Sequence, residues 1–197
     1  LDLVLVLTAL IPAAPVMALV ALAIRLEDGG PVFYKQARMS LDGKVFDILK
    51  CRSMIVDAEK YGHSIPATEK DPRITKVGNF IRATRIDELP QLWNILKGDM
   101  TIVGPRPALW NQYDLMEERE KYGVHQVRPG LTGWAQINGR DELEIEEKAR
   151  LDGEYVEKMG FFFDIKCMVK TFTSVLKHDG VVEGGTGTLH EKENEKK

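Results

Sequence analysis

Cysteine is scarce in this chain of 197 residues: Cys51 and Cys167 are the whole complement. They stand too far apart in sequence to match a disulfide framework or the short spacing of a metal knuckle, so free thiols in a reducing compartment is the reading. The four histidines, His63, His125, His178 and His190, are equally scattered, which argues against a zinc cluster. Charge of one sign is also missing. Lys and Arg number 27 against 30 Asp and Glu, a formal net charge of −3. There is no global pull toward nucleic acid or an anionic surface, and any such pull must be local. Internal repeats are absent. The length suits one domain with its own core, or one domain plus an appendage.

Charge is missing most completely at the start. From Leu3 to Ile24, "LVLVLTALIPAAPVMALVALAI" holds 22 residues without a charge. As a continuous helix it would cover roughly 33 Å, enough to cross a bilayer core. The run begins at once, with Leu1 where a complete chain has Met, which reads as a chain cut short. No basic lead-in or small-residue cleavage site precedes it, so it does not read as a signal peptide. Pro12 removes the amide that would bond to Thr8, and Pro15 the one that would bond to Ile11; the Thr8 hydroxyl is suited to satisfying a freed backbone group locally. A soluble buried helix is disfavoured because no polar face is visible. A kinked spanning helix and a re-entrant helix both stay open. Arg25, Lys35 and Arg38 follow the run and put the remainder on the cytoplasmic side.

Beyond a Gly-Gly-Pro turn, residues 32–36 and 44–50 read as two strands, with Asp42-Gly43 as the hairpin signal between them. Residues 30–52 carry five basic residues against two acidic ones, a local positive patch. Residues 57–72 read as a polar loop. A helix is expected over 73–84, with Ile74, Val77, Phe80 and Ile81 on its apolar face, and another over 109–123, ending at Gly123. Residues 127–140 are too rich in Gly and Pro for regular structure and read as an ordered functional loop. An acidic helix follows over 142–159, then an amphipathic one over 161–177, suited to core packing or to a membrane interface. The tail from Gly180 is Gly-rich, then charged, and reads as disordered. The class is α+β, mostly helical.

The chemistry concentrates in "RIDELPQLWNILKGDMTIVGPRP", residues 85–107. Asp87 and Glu88 stand side by side ahead of an apolar helical run. Asp87 suits the N-cap and Pro90 the first turn, which would place both carboxylates at a helix N-terminus, beside its partial positive charge. An ionised carboxylate there can attack phosphorus, while its neighbour holds a hard cation such as Mg²⁺. The plain alternative is that Asp87 caps the helix and Glu88 complements its dipole. Against that alternative stand Gly104-Pro105-Arg106-Pro107, which fixes one guanidinium rigidly, and the bases Arg73, Lys76, Arg82 and Arg85 just upstream. A second loop adds Arg128 and Arg140. Together they point to an anionic ligand.

The stretches "GPVFYKQARMSLDGKVFDILKCRSM", "DPRITKVGNFIRATRIDELPQLWNILKGDMTIVGPRP" and "VRPGLTGWAQINGR" resemble the bacterial sugar transferase family, the monotopic polyprenyl-phosphate phosphoglycosyl transferases. The likeness extends from residue 2 to about residue 177. It implies transfer of a sugar phosphate from a UDP-sugar to polyprenyl (undecaprenyl) phosphate with release of UMP, the first membrane step of lipid-linked glycan or exopolysaccharide assembly. It also implies Mg²⁺, a Pro-broken re-entrant helix over residues 1–26, a catalytic domain with amphipathic interfacial helices over 27–179, and a tail over 180–197. The implied location is the cytosolic face of the bacterial inner membrane, in contact with its lipids and without nucleic acid; a homo-oligomer is left open.

Carried over by position, Asp87 is the nucleophile that becomes a phosphosugar-aspartyl intermediate, and Glu88 the Mg²⁺ ligand. Arg106 binds donor phosphate or nucleotide, Lys50 and Arg52 form a basic pair, and Arg82, Arg128, Arg140 and Asp152 fall at further substrate-binding motif positions. Cys51 stands where an aromatic residue is usual and Ser53 where Thr is commoner, departures expected to affect local packing and not the dyad. The rival readings are a Mg²⁺-dependent pyrophosphatase that uses water as acceptor and a non-catalytic membrane scaffold.

Overall fold

The uncharged N-terminal run folds as one helix, α1 (Asp2–Asp28), whose helical backbone passes through Pro12 and Pro15. In this computed structural model, which describes residues 2–58, 71–139 and 143–177, α1 shows the protein only one stripe. Val6, Ala13, Val20 and Ile24 are buried, with Leu10 and Met17 partly buried between them. That three-and-four spacing is what a helix needs to keep one seam against a partner. Leu3, Val4, Leu7, Ile11, Leu19 and Leu22 are exposed, and both prolines lie on that open side. The Thr8 hydroxyl donates to the Val4 carbonyl at 2.9 Å. It therefore does not serve a carbonyl freed by a proline: helical side chains lean toward the N-terminus and reach the preceding turn.

Both ends of α1 are fastened to the rest of the chain. Asp2 accepts from the Thr101 hydroxyl and from the Ile102 amide. At the other end Glu27 accepts from the amides of Lys76 at 2.8 Å and Val77 at 3.2 Å, and Asp28 pairs with Arg52.

Strands β1 (Phe33–Met39) and β2 (Val45–Cys51) pair antiparallel, with Lys50 opposite Tyr34 and Leu49 opposite Lys35. The turn has positive φ at both Asp42 (55°) and Gly43 (70°). That is the conformation a tight right-twisted hairpin requires and that Asp-Gly supplies at low strain. The end of β1 continues into a bridge between Arg38 and Leu109, with the Met39 amide donating to Ala108 O at 2.9 Å. Pairing at Leu109 delays the next helix: α4 runs over Tyr113–Glu120 and not from residue 109.

Helix α2 (Lys76–Ala83) is capped by Thr75, whose hydroxyl accepts from the Gly78 amide. Gly78 is obligatory for space, since a Cβ there would lie 1.9 Å from the Ser53 carbonyl oxygen. Ile81 and Val77 pack inward with Val20 and Ile24. Phe80, expected on that face, is 62% exposed, because one 100° step from Ile81 carries it to the open side of this short helix.

Helix α3 spans Gln91–Lys97 and joins Ile48, Met100 and α1 in one apolar cluster. Residues 127–139 are more regular than their composition suggests. Strand β4 (Gly130–Thr132) pairs in parallel with β3 (Thr101–Val103), and a one-turn helix α5 (Trp134–Ile137) follows. The glycines there permit backbone crossing: a Cβ on Gly130 would lie 2.1 Å from Gly104 N, and one on Gly133 2.1 Å from Gly104 O. Helices α6 (Ile145–Lys158) and α7 (Phe161–Lys177) fall as expected. Phe163, Cys167 and Met168 of α7 pack on Trp134 and Tyr155, while Phe161, Phe162, Ile165, Val169 and Phe172 are exposed. Arg140, the proposed tail over 180–197 and most of the polar loop lie outside the described residues.

Candidate active site

Arg85 adopts the left-handed conformation (φ 59°), and the chain then makes a single 3₁₀ turn over Ile86–Glu88. Glu88 N donates to Arg85 O at 3.2 Å and Leu89 N to Ile86 O at 3.1 Å. The N-cap of α3 is Pro90 and carries no side-chain cap. Asp87 is therefore not the N-cap that the sequence suggested. The tight i+3 bonding of residues 85–89 places it a turn ahead of the helix and rotates both carboxylates inward. Asp87 is 2% exposed and Glu88 9%.

A carboxylate this deep needs compensating charge, and Glu88 has it. Lys50 Nζ of β2 lies 3.0 Å from Glu88 Oε1, and Arg106 of the Gly-Pro-Arg-Pro loop donates to the same oxygen from 3.1 Å. Burial pushes the Glu88 carboxyl up, but the charges of Lys50, Arg106 and Arg85 outweigh it and hold the group well below the usual carboxylate range. Cys51, the residue after Lys50 at the end of β2, is buried and packs with Val20, Ile24 and Ile81. Burial raises its thiol to about 11, and the nearby Asp87 charge adds to the rise.

The Arg106 loop is itself braced. Arg38 donates through Nε and Nη2 to Gln36 Oε1, and through Nη1 to the Pro107 carbonyl at 3.0 Å. Arg106 also lines a cavity shared with Ser40, Arg119 and His125. Behind that cavity Arg119 and Asp152, 4% and 1% exposed, form a buried pair at 2.6 Å and 2.9 Å through one oxygen, Asp152 Oδ2. Burial drives the Asp152 carboxyl up, against the pull of Arg119.

The expected site residues thus divide. Lys50, Asp87, Glu88 and Arg106 come together. Arg52 is 7% exposed, with its fork on Asp28 and further bonds to the carbonyls of Pro31 (2.6 Å) and Met54 (2.9 Å); it ties α1 to the hairpin. Arg82 lies near Asp71, whose carboxyl is lowered first by its Arg73 hydrogen bond and also by the Arg82 charge. Arg128 is exposed, and Asp152 faces Arg119. Arg38 and Arg119 were not legible as site-supporting residues. In "MEEREKYG" an arginine among glutamates reads as a solvated helix face, and only tertiary packing shows otherwise.

Among the described residues, no group of three or more His, Cys, Asp or Glu is placed to hold a metal. A pair of adjacent carboxylates still fits Mg²⁺, which takes one or two carboxylates and completes its shell with water and substrate phosphate.

Two adjacent buried carboxylates, one of them paired with an ammonium and a guanidinium group, on a small α+β frame with an apolar helix docked along it, form a charge arrangement suited to a phosphate-handling enzyme. The chain belongs to the bacterial sugar transferase family, whose family model matches residues 1–178. An uncharacterized sugar transferase, EpsL, from Bacillus subtilis is 45% identical over 80% of this chain and 76% of its own length. The UDP-glucose:undecaprenyl-phosphate glucose-1-phosphate transferase of Escherichia coli is 44% identical over 86% of this chain. The undecaprenyl-phosphate glucose phosphotransferase of Komagataeibacter xylinus is 41% identical over 82%. The matches span 38% and 32% of those two longer relatives.

Proposed function

We propose that this chain transfers a sugar 1-phosphate from a UDP-sugar to a polyprenyl phosphate, releasing UMP, as the first membrane step of a lipid-linked glycan. The observation that carries this reading is the Lys50–Glu88–Arg106 cluster beside buried Asp87, in a chain 44% identical to a UDP-glucose:undecaprenyl-phosphate glucose-1-phosphate transferase.

In the first displacement a carboxylate oxygen of Asp87 attacks the phosphorus that bears the sugar. A carboxylate–phosphorus bond forms, the phosphoanhydride bond breaks, and its electron pair leaves with UMP. In the second, an oxygen of the polyprenyl phosphate attacks the same phosphorus, and the pair of the broken bond returns to Asp87. Two displacements at one carboxylate give ping-pong kinetics. Lys50 and Arg106 hold Glu88 ionised and present positive charge to the diphosphate, so that the barrier falls through electrostatics and positioning. Mg²⁺ would be held by Glu88 with Asp87 beside it, and when bound it neutralises diphosphate charge.

The acceptor is a lipid, and the open faces suit one. The exposed side of α1, Phe80, Trp93 and the Phe162–Phe172 stripe of α7 are uncovered apolar surface, the kind that marks a membrane or partner contact. Attachment of both ends of α1 to the same polar body supports a helix that returns to the side it entered from, with α7 in the interface.

The test is UMP release across a panel of UDP-sugars, with undecaprenyl phosphate and Mg²⁺, together with the intact mass of protein given donor alone. The expected result is a sugar-phosphate adduct on the wild type and none on Asp87→Asn. Active protein that never carries the adduct, or that releases UMP equally well without acceptor, refutes the proposal.

A further inference from the structure

Helix α3 carries a carboxamide in its apolar interior: Asn94 is 1% exposed, flanked by the core residues Leu92 and Ile95. Burying an amide is costly unless its donors and acceptor are matched, and Asn94 is matched on strand β2. Its Oδ1 accepts from the Leu49 amide at 3.0 Å, and its Nδ2 donates to the Asp47 carbonyl at 2.8 Å and to Asp99 Oδ2 at 3.3 Å. A carbonyl and an amide two residues apart on one strand edge are the pair that a peptide group of a neighbouring strand would occupy. The side chain of Asn94 therefore acts as a single rung added to β2, on the edge away from β1.

The rung lies directly beside the site. Leu49 precedes Lys50, whose Nζ lies 3.0 Å from Glu88 Oε1, and Glu88 enters α3 through the 3₁₀ turn. Asn94 thus joins, backbone to helix, the two elements whose side chains form that ion pair. We propose that Asn94 is a positioning residue for the transfer site, fixing the register of β2 against α3 so that Lys50 is held on Glu88. Long lysine stems lose much rotamer freedom when pinned, so a strand free to shift would spread Lys50 over positions that no longer meet Glu88.

The inference rests on the transferase reading, and a double-mutant cycle separates the two. Asn94→Ala is expected to lower kcat for UMP release by about 10- to 100-fold, the size usual for residues that orient others. Donor KM should move less than about threefold, as for an interaction made in the transition state. Most of the loss should disappear in a Lys50→Met background, because a residue acting through Lys50 has nothing left to position. A role in folding alone would instead lower the folded fraction and give the same factor in both backgrounds.

Hydrogen exchange at the Leu49 amide supplies a readout independent of activity and should quicken in Asn94→Ala. If that variant does not fold, Asn94→Ser, which keeps a small polar group, takes its place in the cycle. Equal losses in the two backgrounds, or unchanged protection at Leu49, overturn the inference. Wild-type protein that releases UMP from no UDP-sugar overturns the transferase reading instead.

Discussion

Asp152→Asn distinguishes a structural carboxylate from a substrate ligand. Asp152 and Arg119 are 1% and 4% exposed, and two guanidinium nitrogens meet a single carboxylate oxygen. Removing the negative charge leaves a guanidinium buried without its counter-ion, a change that costs about 3–5 kcal/mol. For a chain of this size each kcal/mol moves the midpoint by about 2–4 °C, so Tm should fall by about 6–20 °C. The assay is thermal unfolding in detergent followed by circular dichroism, with urea unfolding as a check. Replacing both partners by apolar residues, Arg119→Met with Asp152→Leu, should recover most of the loss, because the desolvation penalty goes with the charges. The reasoning fails if Asp152→Asn melts with the wild type yet has lost activity; the carboxylate would then act on substrate, as its motif position implied.

Three further outcomes follow from local geometry. Arg52 holds the Asp28 carboxyl down to about 2, below the ordinary value of roughly 4. The pair's contribution to stability is therefore complete above pH ~4 and lost as pH falls through ~2; the stability gap between wild type and Asp28→Asn should be flat near neutrality and close in acid. Gly78→Ala should destabilise by about 1–3 kcal/mol, read from urea midpoints, since its Cβ would meet the Ser53 carbonyl at 1.9 Å. Arg38→Lys keeps the charge but not the fork that links Gln36 to Pro107; it should weaken donor turnover about tenfold by loosening the Arg106 loop, with melting behaviour close to wild type.

Local chemistry was readable wherever one short stretch decides the outcome. Asp42-Gly43 specified its turn, and the amphipathic run over 161–177 specified its helix. The dyad and Arg106 stood out because a helix start and a Gly-Pro-Arg-Pro loop carry them, whereas Lys50 joined them only through the family resemblance. What escaped depends on contacts between distant segments. The N-cap was misplaced because Arg85 turns left-handed and inserts a 3₁₀ turn, which composition does not announce. The glycines of 127–140 suggested irregularity, whereas Gly130 and Gly133 are small so that β4 and α5 can cross Gly104. Arg52 and Asp152 sit at motif positions yet spend their hydrogen bonds on Asp28 and Arg119, partners 24 and 33 residues away.

The seam of α1 has a practical consequence for anyone wishing to work without detergent. Val6, Ala13, Val20 and Ile24 close two separate hydrophobic clusters of the polar body, and Glu27 and Asp28 finish the start of α2 and the fork of Arg52. Cutting the first 28 residues away would not release a water-soluble enzyme from a removable tether. It would strip the lid from Ile48, Leu92 and Ile81 and trade one greasy surface for another. Solubilising substitutions belong on the outward Leu3, Ile11, Leu19 and Leu22 instead.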